Sequence, residues 1–260
     1  MGGYDYRELK RTVNALFRLV AVAGLGLTVL GLAVAEPVLS LMRSPSEIVP
    51  HAALYLRMQA LFMSISSFLI QASINHFGPA AIAGMTLFAK LEGVIYLPSF
   101  AYGIAITSFV GQNLGAGKIS RIRQTVRLSL GIMTAIIIPL SLVLSLASPL
   151  LLRLFTKDQA ILFNAREAVV CTLPFYVIYG LNQVLLGAIK GLGNTTWPMI
   201  CTLVCYSLFR VLWCRLLIPV HPTMRVVYSS YVVSFFLMLA MLVPMCRRLC
   251  RSGAAGAQRP

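Results

Sequence analysis

The chain has 260 residues, of which 58% are hydrophobic and only 11% charged, with a mean hydropathy of +0.84. Soluble domains carry about a quarter charged residues, so this composition excludes them and points to a multi-pass membrane protein. The net charge of +15 gathers at the ends of apolar runs and at the termini. There it reads as an orientation signal and as contact with anionic lipid, because apolar spans interrupt the continuous basic face that nucleic acid requires.

Met1 to Arg11 is polar and lacks the short apolar core and cleavage site of a signal peptide. Leu16 to Met42 is long enough to span, with Pro37 near its far end. A loop with two prolines (Arg43 to His51) leads to a second, more polar span, Ala52 to Phe77, which holds Arg57, Gln59, Gln71 and Asn75. Gly78-Pro79 makes a tight turn. The third span, Ala80 to Val110, carries Glu92 and is broken at Pro98; it closes on a glycine-rich turn containing Gly111, Gln112, Asn113, Gly115 and Gly117, followed by Lys118, Arg121 and Arg123. Thr125 to Leu154 is the fourth span, with kinks expected at Pro139 and Pro149. A loop at Lys157-Asp158 precedes the fifth, Ala165 to Ile189, with Pro174, Asn182 and Gln183 inside it. After the turn from Lys190 to Thr195, Asn194 or Thr195 can cap the sixth span, Trp197 to Ile218. Val226 to Met245 is the seventh, and residues 251–260 form a small, polar, disordered tail.

The chain repeats itself at an offset of about 113 residues. Gly2 aligns with Gly115, Thr12 with Thr125, Leu41 with Leu154 and Ala52 with Ala165, with a one-residue shift at Pro37 and Pro149. Residues 2–52 are therefore expected to superpose on 115–165, and internal duplication in a membrane protein points to a transporter built from repeats. Lys118, Arg121, Arg123 and Arg127 are expected on the cytoplasmic side with Arg247, Arg248 and Arg251. Counting spans then puts Arg7, Lys10 and Arg11 outside, against their repeat counterparts, so the first span is expected to insert poorly or in mixed orientation.

Phe109 to Lys118 (F-V-G-Q-N-L-G-A-G-K) followed by Arg121 resembles the loop after the eighth helix of multidrug and toxic compound extrusion (MATE) transporters. The likeness extends back through I-N-H-F-G (Ile74 to Gly78), A-I-A-G (Ala81 to Gly84) and the K-x-E of Lys90 and Glu92. It extends forward to L-L-G-A-I-K-G-L-G-N-T-T-W-P (Leu185 to Pro198). The resemblance implies an all-α polytopic bundle of about seven helices. Residues 58–250 would form the six-helix C-terminal lobe, and residues 1–57 a remnant of the other lobe, one helix and a loop. The family's lobes enclose a central cavity, so it implies an incomplete antiporter of the plasma (inner) membrane. Its intact form exports cationic or amphipathic drug-like molecules in exchange for Na⁺ or H⁺, without a cofactor. Lipid and a second lobe are the expected partners. The rivals are a lipid-linked oligosaccharide flippase of the same superfamily, which an arginine-rich cavity would favour, and a non-transporting truncated interaction protein.

An intramembrane carboxylate costs about 2.5–3.5 kcal/mol on insertion scales, so it normally faces a cavity or a partner. Glu92 is the candidate for cation coupling, expected to face the lobe interior near Gln71, Asn75 or the Asn182/Gln183 pair. The competing reading is an interfacial pairing with Lys90 or a headgroup. Tyr96 shares its face one turn on, and Pro98 frees a backbone carbonyl close by. Gln71 with Asn75, and Tyr179 with Gln183 and Asn182, form polar stripes that read equally as cavity lining or as interhelical hydrogen bonding. Glu167 sits at a helix start and Glu36 beside a kink. Gly187 and Gly191 make a GxxxG pattern suited to close helix packing. The glycine turn fails as a phosphate loop, since Gln112 stands where the first glycine is needed and Ile119 replaces Ser/Thr. The i, i+4 cysteine pairs, Cys201/Cys205 and Cys246/Cys250, have no histidine near them, so they read as buried apolar side chains with no metal. No catalytic constellation is present in the sequence, so no enzyme is expected.

Overall fold

The computed structural model describes residues 49–256 together with Val22 and Gly26, and side chains over 57–249. The expected first span (16–42), its orientation, and the superposition of 2–52 on 115–165 lie outside the described residues. The chain divides into two compact units, Met1–Leu61 and Phe62–Pro260. All further geometry concerns the second.

Six helices follow in order: α1 Val49–Asn75, α2 Pro79–Gly115, α3 Ile119–Phe155, α4 Gln159–Gly191, α5 Thr196–Leu217 and α6 Met224–Gly256. α2 to α6 are the five described helices long and apolar enough to cross a membrane. α1 is a helix where a span was expected but is not one of these five; Arg57, Gln59, Gln71 and Asn75 dilute its apolar character. The fold is all-α, as a membrane interior demands of any single segment that must satisfy its own backbone polar groups.

Local chemistry sets the ends. Gly78 takes φ 89°, a left-handed value that only glycine adopts without strain, and Pro79 opens α2 with its preset φ. Asp158 accepts from the amides of Ala160 and Ile161 at 2.8 and 3.4 Å and caps α4. At the start of α5 the Asn194 side chain accepts from the Trp197 amide at 3.0 Å, so Asn194 is the capping residue of the two candidates.

Three expectations are corrected. The turn does not begin at Gly111: α2 continues through Gly111, Gln112, Asn113 and Gly115, and only Gly117 has positive φ (68°). A helix keeps its backbone bonds made until it leaves the apolar layer, so the chain turns late, at Ala116-Gly117. The third span is not broken at Pro98, which remains inside a continuous α2, whereas Pro174 interrupts α4, where Leu173–Phe175 tightens to 3₁₀ geometry. The expected disordered tail is helical as far as Gly256, α6 running on through Arg247 and Arg248 and the small residues Ala254 and Ala255.

α4 packs along α2, α3 and α6 and forms the middle of the lobe. Glycine sets its approach to α2. A Cβ on Gly187 would stand 2.3 Å from the Gly103 carbonyl oxygen, and one on Gly191 2.7 Å from that of Thr107. The GxxxG pattern thus faces α2 with backbone against backbone. Two apolar clusters fill the interior. One surrounds Phe88, Ile95, Leu173, Tyr176, Tyr228 and Phe235; the other surrounds Val110, Ile122, Ile189, Cys201, Cys205 and Met238. Large apolar side chains such as Leu146 and Leu154, each 74% exposed, cover the outside of α3. Such a surface suits lipid and would aggregate in water.

Candidate functional site

The interior cluster around Phe235 holds the polar chemistry of the lobe. Glu92, on α2, is half-buried, and its Oε1 accepts a hydrogen bond from the phenol of Tyr176. Tyr176 begins the second half of α4, immediately after the break at Pro174. Proline lacks an amide donor, and the tightened turn re-aims the helix so that Tyr176 and Tyr179 both enter the core. Tyr176, Tyr179 and Phe235 pack as a triangle with ring centroids 5.3–5.8 Å apart. Tyr96 stacks on Tyr179 at 5.6 Å and on Phe100 at 6.0 Å.

Arg210 closes the far side of this cluster. It follows the π-helical segment Leu203–Leu208 of α5, an irregularity that shifts which residues face inward. Its guanidinium lies over Tyr231 at 4.0 Å, Tyr206 at 4.9 Å and Phe235 at 5.7 Å, and Nε donates to Ser234 Oγ at 2.9 Å. Glu92 and Arg210 border the same aromatic cluster, Glu92 through Tyr176 and Arg210 through Phe235. Lys90 turns to the Phe155 ring, 4.5 Å from its centroid.

The remaining candidates divide. Gln183 donates to the Tyr179 phenol at 2.5 Å and so belongs to the cluster. Asn182 is fully buried; its Nδ2 donates to the Phe235 carbonyl at 2.9 Å and to the Tyr206 hydroxyl at 3.4 Å, joining α4 to α5 and α6. Its Oδ1 is buried with no hydrogen-bond partner among the described residues, an acceptor left open inside the lobe. Tyr96 is 42% exposed and forms the cluster's rim. Gln71 and Asn75 are exposed, and Gln71 Nε2 donates to Asn75 Oδ1 at 3.0 Å along α1. Pro98 lies on the exposed side of α2, and Gly111 to Gly117 lie at its far end. Glu167 is occupied in an ion pair with Arg225 at 2.7 Å, bridging α4 and α6.

Tyr176, Tyr206, Arg210, Tyr231 and Phe235 escaped the reading of the sequence. Arg210 carried a usable signal, a cation more than a turn inside an apolar span, to which the cost weighed for Glu92 applies equally. Chemically, the cluster offers a carboxylate with one phenol donor, an open carbonyl acceptor and several aromatic faces. The carboxylate can take up a proton or ligate a cation, and the faces can receive an amphipathic cation.

The MatE family model matches residues 1–69 and 58–216. Among curated proteins, 140 residues are 25% identical to the probable multidrug resistance protein YoeA of Bacillus subtilis, over 54% of this chain and 30% of that protein. A stretch of 151 residues is 32% identical to the probable multidrug resistance protein NorM of Aromatoleum aromaticum, over 56% of this chain and 32% of that protein. Among solved structures, the MATE transporter ClbM in complex with Rb⁺ superposes with a TM-score of 0.73 at 19% identity, over 84% of this chain and 52% of that one. The matches thus span about a third of the curated relatives' length and about half of the solved transporter's. With a family match over most of its length and the fold of a solved MATE transporter, the chain is a multi-pass membrane protein that belongs to the MatE family.

Proposed function

We propose that the chain forms one lobe of a secondary antiporter that exports cationic or amphipathic drug-like molecules in exchange for Na⁺ or H⁺. The observation that supports this most is Glu92, a carboxylate held inside an apolar lobe by Tyr176 and surrounded by aromatic rings. A coupling ion neutralises it, a cationic substrate competes for the same charge, and a second six-helix lobe rocks against this one to alternate access. The work is transport, with no bond made or broken. The test is gradient-driven ethidium efflux from proteoliposomes carrying the chain together with a second lobe. Glu92→Gln abolishes the response to an imposed Na⁺ or proton gradient, with the amount of protein in the membrane unchanged. Full ion-driven efflux from that variant would remove Glu92 from coupling.

Arg210 favours a second reading, since a guanidinium in the lobe interior suits a phosphate-bearing substrate such as a lipid-linked oligosaccharide. Arg210→Gln separates the two: loss of anionic substrates with cation export intact selects the flippase reading.

A further inference from the structure

A groove of about 1150 Å³ runs down the outside of the lobe between α3, α4 and α6, away from the Glu92 cluster. It exceeds the roughly 300–1,000 Å³ of ordinary small-molecule pockets. Its walls are mainly leucine, isoleucine and valine side chains, and one end carries Arg123 and Arg127 of α3 and Arg247 of α6, with no acidic residue among the described residues of its lining. Small residues on α3 open it: Gly131 and Ala135 stand where larger side chains would fill the space, and a Cβ on Gly131 would meet nothing within 4 Å.

We propose that this groove is a binding site for an anionic phospholipid, with the phosphate at the three arginines and an acyl chain along Gly131 and Ala135. Three observations converge. The charge is segregated at one end and the rest is apolar, which matches the polarity of a lipid and repels a cationic drug. Arg123 and Arg127 stand four residues apart on one face of α3, and Arg247 of α6 joins them in the same lining. α3 has 37 residues and extends about 55 Å, well beyond a hydrocarbon core of about 30 Å, which places its basic end at headgroup level. Lys118, Arg121 and Arg248 lie at that same end of the lobe, and by the positive-inside rule it faces the cytoplasm, where anionic lipids concentrate.

Native mass spectrometry of the purified full chain, exchanged into detergent with equal dioleoyl phosphatidylglycerol and dioleoyl phosphatidylcholine, tests it. The native protein retains phosphatidylglycerol preferentially. Each of Arg123→Gln, Arg127→Gln and Arg247→Gln lowers that preference about fivefold, and the triple variant erases it. Gly131→Leu fills the apolar part and reduces retention while leaving every charge in place. Because its side chain enters open space, it leaves the thermal unfolding of the protein unchanged or raised. Glycerol 3-phosphate, which has the headgroup chemistry but no acyl chain, does not displace the lipid. Equal retention of the two lipids by the native chain, a triple variant that keeps the preference, full retention by Gly131→Leu, or displacement by glycerol 3-phosphate would each overturn the assignment.

Discussion

Replacing Gly187 by alanine tests the packing on which the lobe is built. The added Cβ would lie 2.3 Å from the Gly103 oxygen, 3.2 Å from its carbon and 3.3 Å from Thr107 Oγ1. The first of these is backbone inside α2 and cannot rotate away, so α2 and α4 must separate by about 1 Å to reach ordinary contact distance. A gap of that size forfeits between about a quarter and half of the dispersion energy of the atoms it parts. Overpacking of this kind costs about 1–3 kcal/mol, and the better helix propensity of alanine returns up to about 1 kcal/mol. A net loss of about 1–2 kcal/mol is therefore expected. Unfolding with SDS in mixed micelles measures it, with Gly131→Ala as the control. There the methyl enters open space, and only the propensity gain of up to about 1 kcal/mol remains. If Gly187→Ala unfolds at the same SDS fraction as the native chain, the backbone contact between α2 and α4 is not what holds them together.

Asp158→Ala removes the α4 cap and lowers stability by about 1 kcal/mol in the same unfolding assay. Tyr176→Phe leaves the Glu92 carboxylate without its phenol donor, costing about 1–3 kcal/mol, and moves the ion concentration needed for half-maximal efflux by about tenfold. Glu92→Gln with Arg210→Gln is expected to be non-additive in stability by about 0.5–3 kcal/mol, because the two charges border one aromatic cluster through Tyr176 and Phe235; additive losses would show them to be independent.

The helices could be read from the sequence because a run of some twenty apolar residues admits few other structures in a membrane. Turns were readable where proline and glycine act through their own backbone, as at Gly78-Pro79. Glycine is ambiguous wherever two physical uses compete. Gly117 serves a left-handed turn and Gly187 a close approach, but Gly111 and Gly115 do neither outright, and their clustering suggested an earlier turn than the structure has. The site was half visible. Glu92 stood out by the cost of its charge, but its partners come from α4, α5 and α6, and no spacing within one helix reveals a neighbour on another. Gln71 and Asn75 show the same limit: their spacing along α1 reads that the two side chains meet, as they do at 3.0 Å, but not what faces them from another helix.

The same helix pair carries both the tightest backbone contact and the coupling candidate. Gly103 and Thr107 of α2 meet Gly187 and Gly191 of α4, while eleven residues back along α2, about 16 Å, Glu92 meets Tyr176 of α4. Backbone packed against backbone leaves little room to slide, so α2 and α4 move as one body and the Glu92–Tyr176 bond is held by that body. Arg210 stands on the other side of the cluster, on α5, just past its π-helical segment. The two charges therefore sit on different elements, Glu92 on α2 and Arg210 on α5. Under the proposed coupling role of Glu92, its neutralisation would change the charge that Arg210 faces across Tyr176 and Phe235, and α5 is the element that carries that cation. Under the proposed antiport, a closely packed α2–α4 pair holding the carboxylate and a separate α5 holding the cation would let a change of charge at Glu92 be felt at the cavity wall.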